Sequence, residues 1–135
     1  GGNKIENLEE GLKNCDYLSL HIPLTEKTKN MINYEKIKSM KKNAVIINTS
    51  RGGIINEFDL DQALKNNIIF GAGLDVFEKE PIDKNNPLID NKKVLLSPHS
   101  ATFTNECKSR MAIETTKNII DFFENTLDKS MIVKT

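Results

Sequence analysis

Ala44-Val45-Ile46-Ile47-Asn48-Thr49-Ser50-Arg51-Gly52-Gly53 decides the architecture of this chain. Its first four residues are apolar and rich in β-branched side chains, the composition of a strand in the middle of a sheet. After the Asn-Thr-Ser-Arg-Gly-Gly segment comes a helix-length stretch, residues 57–65, which carries Phe58, Leu60, Ala63 and Leu64 and finds its exit at Asn66-Asn67. A strand that runs through a loop into a helix is the repeating unit of an open α/β sheet, where ligands bind beyond the carboxyl ends of the strands. Arg51, one of two arginines in the chain, therefore stands where a ligand would be met.

The same alternation continues on both sides. Residues 16–22 read as a second sheet-central strand, stopped by Pro23; residues 73–76 read as a weaker strand flanked by glycines; residues 94–96 read as a fourth, ending near Pro98. Helices are expected at 6–14 through Leu8 and Leu12, and at 35–41 through Ile37 and Met40. A longer one is expected from 105 to about 124, with Ala112, Thr116, Ile119, Ile120 and Phe123 on one stripe. Strands alternating with helices imply a parallel sheet of about four strands joined by right-handed crossovers. Two further islands, Gly71-Ala72-Gly73-Leu74-Asp75-Val76-Phe77-Glu78-Lys79-Glu80-Pro81 and Leu96-Ser97-Pro98-His99-Ser100-Ala101, follow strands in the same way. A basic group, a carboxylate and an imidazole are thus expected to converge on one crevice. The polar run Asp83-Lys84-Asn85-Asn86-Pro87 reads as an exposed loop.

Composition narrows the function classes. Nineteen basic residues balance nineteen acidic ones, so nothing favours a polyanion surface, and nucleic acid and anionic membrane are poor partners. No run of about 20 apolar residues spans a membrane. Cys15 and Cys107 are too few and too far apart for a disulfide framework, which suggests a reducing, cytoplasmic setting, and both read as small buried apolar residues. A metal set could be imagined from His21, His99 and Asp75, but it has little support and no metal is expected.

Four ordered segments carry a resemblance that covers nearly the whole chain: Leu20-His21-Ile22-Pro23-Leu24-Thr25, Ile47-Asn48-Thr49-Ser50-Arg51-Gly52-Gly53, Gly73-Leu74-Asp75-Val76-Phe77-Glu78-Lys79-Glu80-Pro81, and Ser97-Pro98-His99. Together they resemble the second half of the coenzyme domain of the D-isomer-specific 2-hydroxyacid dehydrogenases, which include phosphoglycerate dehydrogenase, hydroxypyruvate/glyoxylate reductase and D-lactate dehydrogenase. The resemblance implies a partial Rossmann-like, three-layer α/β fold, with 1–135 an incomplete dinucleotide-binding domain and 103–135 including the helix that returns toward a substrate domain. It implies NAD as cofactor, a small 2-hydroxy or 2-keto acid as substrate, with phosphoglycerate or glycerate/hydroxypyruvate types favoured, and a homodimeric parent protein. By the same resemblance Arg51 grips the substrate carboxylate and polarises the keto oxygen, a task suited to its planar donor fork. His99 is implied as the general acid in reduction and the base in oxidation, with Glu80 orienting it and favouring its protonated form. His21, Pro23, Thr28, Thr49, Ser50, Arg51, Asp75, His99 and Ala101 are implied as cofactor-binding positions, Asp75 beside the nicotinamide carboxamide.

Residue logic alone leaves other roles open: a surface salt bridge for Arg51, a solvent-facing turn for Glu80, a strand-end hydrogen bond for His21, a loop cap for Asp75. Ser100-Ala101 stands where the family often has glycines, which leaves the substrate subclass open. The G-x-G-x-x-G turn and the acidic residue about 20 positions after it are missing, and Gly71 and Gly73 precede a strand rather than open a helix. The chain is therefore expected to begin beyond the phosphate loop, and alone to bind cofactor poorly and turn over negligibly. The competing readings are an NAD-sensing interaction module of the corepressor type, a D-lactate dehydrogenase-type enzyme, and a structural fragment that supports dimerisation only.

Overall fold

The structure, a computed structural model, describes residues 2–132. It divides into two compact units, Gly1–Ser100 and Ala101–Thr135. In the first, α1 (Leu8–Asn14), β1 (Tyr17–Leu20), α2 (Tyr34–Lys38), β2 (Val45–Asn48), α3 (Glu57–Lys65), β3 (Gly71–Leu74) and β4 (Val94–Leu96) follow one another. The strands form one parallel four-stranded sheet in the order β1-β2-β3-β4, so the expected partial Rossmann-like α/β architecture is present. Each of the three helices starts at an asparagine, Asn7, Asn33 or Asn56, whose side chain accepts a hydrogen bond from a backbone N–H in the first turn. Such a cap satisfies one of the donors that a helix start leaves without an intrahelical partner.

The register explains where the core lies. Leu18, Ile46, Ala72 and Val94 stand in one row across the sheet, and Leu20, Asn48, Leu74 and Leu96 in the next row on the same face. Leu12 of α1, Ile37 of α2, and Leu60, Ala63 and Leu64 of α3 join that face in a single buried cluster. Burying one such leucine contributes about 1.5–3 kcal/mol. The opposite face carries Tyr17 and Leu95, both largely exposed.

Several expectations are corrected by this arrangement. Strand order advances in one direction, and right-handed crossovers then place every connecting helix on one side. In the first unit the helices Leu8–Asn14, Tyr34–Lys38 and Glu57–Lys65 share one buried core with the sheet. Among the described residues β1 pairs with β2 and stands at one end of the strand order. β3 begins at Gly71, two residues before the expected start, and takes both glycines into the strand. A Cβ at Gly71 would stand 3.0 Å from the Lys93 carbonyl oxygen, which accepts a hydrogen bond from the Ala72 N–H, so the glycine lets the segment before β4 approach. α2 stops at Lys38, because the Ser39 hydroxyl donates to the Lys36 carbonyl and turns the chain. The run 83–87 is not simply exposed: Asn86 is partly buried and Leu88 just beyond it is fully so.

The second unit holds α4 (Asn105–Phe123), capped by Thr104, and a 3₁₀ turn at Lys129–Met131. The expected stripe on α4 exists, but none of its residues is buried. Residues 133–135 of the expected 103–135 segment, like Gly1, lie outside the described residues. Neither cysteine is fully buried. Cys15 is half-buried beside the core, and that burial pushes its thiol pKa up.

Candidate functional site

β2 delivers its last residue, Asn48, into the interior, and this side chain builds the turn that follows. Its Oδ1 accepts from the Ser50 N–H at 3.1 Å and the Ser50 hydroxyl at 2.8 Å, while its Nδ2 donates to the Arg51 carbonyl at 2.8 Å. The turn holds the Arg51 backbone and leaves its side chain exposed, with Nη1 donating to the Ser50 carbonyl at 2.6 Å. Among the described residues no carboxylate lies within ion-pair distance of Arg51, so the surface salt-bridge alternative finds no partner here.

The loop after β1 faces this turn. His21 Nε2 lies 2.8 Å from the Ser19 hydroxyl, the strand-end hydrogen bond foreseen for it. The Thr28 hydroxyl donates to the Pro23 carbonyl at 2.8 Å and accepts from the Thr25 N–H at 2.7 Å. Asn30 N–H donates to the Gly53 carbonyl at 2.8 Å, and Ile32 forms a parallel bridge with Ile55, so the two loops are laced together. His21, Ile22, Pro23, Thr49, Ser50 and Arg51 line the resulting cleft of about 350 Å³. Of the expected residues in this region, Thr28 braces the wall rather than lining it, and the Ser50 hydroxyl is turned back onto Asn48.

Glu80 and His99 meet on the loops after β3 and β4. His99 Nδ1 lies 2.7 Å from Glu80 Oε2, and Glu80 Oε1 accepts from the Phe77 N–H at 3.0 Å. The hydrogen bond from His99, followed by that from Phe77, holds the Glu80 carboxyl below the usual glutamate pKa. An ionised carboxylate only accepts, so Nδ1 carries the proton of this contact and Nε2 is the ring atom left to face a ligand. His99 sits at φ 51°, in the left-handed region, within a short loop. That loop is gripped on either side of the imidazole by one atom: Asp75 Oδ1 accepts from the Ser97 hydroxyl at 2.5 Å and from the Ser100 N–H at 2.9 Å. Asp75 is buried, and these bonds are the loop-capping contacts weighed for it from sequence.

The sites expected in one crevice line two clefts. Glu80 and His99, with Phe77, Pro81, Ile82 and Pro98, line a second one of about 330 Å³, mainly apolar in its walls. The two loops touch behind the clefts, where Gly52 packs against the Phe77–Glu78 peptide so closely that a Cβ would fall 1.9 Å from the Phe77 oxygen. Ala101 opens the second unit. Sequence reasoning gave no role to Asn48, Ser97 or Glu57, whose signals were ordinary: a polar residue closing a strand, a serine before a proline, an acid in a helix's first turn.

Comparison with known proteins places this geometry. Residues 1–101 match the model of the D-isomer specific 2-hydroxyacid dehydrogenase, NAD binding domain. A glyoxylate reductase of Korarchaeum cryptofilum is 43% identical over 125 residues, which are 93% of this chain and 38% of that protein. A D-3-phosphoglycerate dehydrogenase of Methanocaldococcus jannaschii is 44% identical over 108 residues, 80% of this chain and 20% of that protein. Among solved structures, the D-lactate dehydrogenase of Aquifex aeolicus in complex with NAD and lactic acid superposes with a TM-score of 0.78 at 34% identity, over 88% of this chain and 40% of the other. The chain thus spans well under half the length of the relatives it matches. With its parallel sheet, its strand-end loops and three quarters of its length inside the family's NAD-binding domain, this chain belongs to the D-isomer-specific 2-hydroxyacid dehydrogenases.

Proposed function

We propose that the protein containing this chain transfers a hydride between NAD(H) and a small 2-hydroxy or 2-keto acid of the glyoxylate, hydroxypyruvate or glycerate class. The observation that carries this reading is the Glu80–His99 pair at 2.7 Å on the loops after β3 and β4, with Arg51, which has no carboxylate partner among the described residues, on the loop after β2. The cleft of His21, Pro23, Thr49, Ser50 and Arg51 lies at the carboxyl ends of β1 and β2, where open α/β sheets bind such cofactors. These residues fit a nicotinamide-bearing ligand, with Asp75 near the carboxamide; the pyrophosphate seat is not among them, because no G-x-G-x-x-G turn is present. Bound nicotinamide would supply the hydride. Arg51 would hold the substrate carboxylate and draw charge onto the 2-keto oxygen. His99 Nε2 would give that oxygen a proton as the carbonyl becomes a hydroxyl, and would take the proton back in the oxidative direction. Glu80 would keep the ring oriented through Nδ1 and balance the charge of the protonated imidazole. Glyoxylate reductase and phosphoglycerate dehydrogenase among the relatives support a short, polar substrate over a bulky one.

The test is steady-state reduction of glyoxylate, hydroxypyruvate and pyruvate by the full-length protein with NADH and NADPH. Turnover lost by about 10²-fold or more in Arg51→Ala is the expected result, since an oriented charged donor at the reacting oxygen is worth that much. Absence of turnover with every 2-keto acid, or unchanged kcat/KM in Arg51→Ala, would refute the assignment. NADH-modulated binding of another protein without turnover would replace it by the sensing module.

A further inference from the structure

Glu57 belongs to neither cleft, yet it is a buried acid on the first turn of α3 with both oxygens committed to the loop that carries Glu80. Its Oε1 accepts from the Glu78 N–H at 2.7 Å, and its Oε2 accepts from the Asn86 side-chain amide at 2.5 Å. The adjacent N–H, that of Phe77, goes to Glu80 itself. Two consecutive amides of one loop are thus taken by two different carboxylates, one buried and one in the candidate site. On its other side the same Phe77–Glu78 peptide rests on Gly52, the neighbour of Arg51, with no room for a side chain between them. Gly52 and Glu57 both lie on the connection from β2 into α3 that also presents Arg51.

From this clamp, and resting on the hydride-transfer reading above, we infer that Glu57 is a positioning residue: it fixes the Phe77–Glu78 peptide and so sets the Glu80–His99 pair relative to Arg51. The segment 77–86 contains no helix or strand of its own, and its placement comes from such contacts. A carboxylate is suited to the task because it accepts from two donors on different parts of one loop, Glu78 at its start and Asn86 at its end. Loss of Glu57 removes both anchors and leaves the Glu78 N–H and the Asn86 amide to find other partners. A site that depends on near-contact geometry loses on the order of 10²-fold in rate for a displacement of about 1 Å.

The test is a double-mutant cycle in the full-length protein. Glu57→Ala is expected to lower kcat by tens-fold with the KM for NADH unchanged, but to cost less than about threefold when placed in a Glu80→Gln background, because the two residues act as one unit. Glu57→Gln combined with Asn86→Asp, which restores the second bond with donor and acceptor exchanged, should recover most of the loss seen in Glu57→Gln alone. Equal losses in both backgrounds, without rescue, would overturn the inference. A second measurement is independent of turnover: the His99 Nδ1 proton, observed by NMR of the ¹⁵N-histidine protein and assigned with His99→Gln. Its hydrogen-bonded signal should be lost or broadened in Glu57→Ala as in Glu80→Gln. Persistence of that signal in a folded Glu57→Ala protein would refute the clamp whether or not a 2-keto acid is reduced, whereas absence of activity in the unaltered protein would count only against the assigned reaction.

Discussion

Two adjacent glycines, Gly52 and Gly53, should respond to alanine in opposite order from what backbone conformation alone would suggest. Gly53 has φ 76°, a conformation that costs an L-residue about 1–2 kcal/mol, but a Cβ there would touch only the Leu24 methyls at an ordinary 3.6 Å. Gly52 is not in that region. Its added Cβ would stand 1.9 Å from the Phe77 oxygen, 2.0 Å from the Phe77 carbonyl carbon and 2.6 Å from the Glu78 nitrogen. An ordinary contact is about 3.4 Å, so two backbones, one held by the hydrogen bond Asn48 donates to the Arg51 carbonyl and the other by the hydrogen bond Glu57 accepts from the Glu78 N–H, must part by about 1.5 Å. Forced overpacking of this kind typically costs 1–3 kcal/mol, and occasionally more. For Gly52→Ala we expect about 3 kcal/mol or more, and for Gly53→Ala about 1 kcal/mol, with Gly53→Asn nearer to wild type because asparagine tolerates the left-handed region. Urea unfolding of the full-length variants measures the difference as a shift of midpoint at constant slope. The larger effect falling on Gly53, or a Gly52→Ala midpoint equal to wild type, would refute the claim that contact rather than dihedral angle dictates glycine at 52.

Leu60→Ala removes a fully buried side chain from the centre of the helix layer and should cost about 2–5 kcal/mol, read from the same denaturation curves; a loss below about 1 kcal/mol would mean that the sheet and α3 are not packed as described. The Glu80 carboxyl, followed by ¹³C NMR against pH, should titrate below an ordinary glutamate near 4.3. His99→Ala should move it back up. The sign is that of a depressed carboxylate: its contribution to stability is present above the unfolded pKa and is lost as pH falls through the folded one. Because Glu80 is about a third exposed, the stability change is small and the titration itself is the sensitive readout.

Much of the fold was legible because its signals are local. Val45 to Asn48 announce a strand through β-branched content, and Phe58, Leu60, Ala63 and Leu64 announce a helix, although Phe58 turned out to be exposed. The start of β3 was misplaced because Gly71 and Gly73 look like strand breakers, whereas at Gly71 the missing side chain is what allows Lys93 to approach. Arg51, Glu80 and His99 stood out as chemically conspicuous residue types after strands. Asn48, Ser97 and Glu57 did not, because their importance lies in which backbone group each one reaches, and that depends on contacts 2 to 29 residues away.

The lacing of the loop after β1 to the loop after β2, through Asn30 to Gly53 and Ile32 beside Ile55, has a thermodynamic consequence for anything that enters the cleft they share. Both walls belong to one rigid frame, ordered when the chain folds. A ligand arriving there meets a wall already in place, so the ordering entropy that weakens binding to floppy loops falls on the folding step instead. Selectivity on this side then comes from a shape set by the fold, in a cleft lined by Pro23 and Thr49 among others.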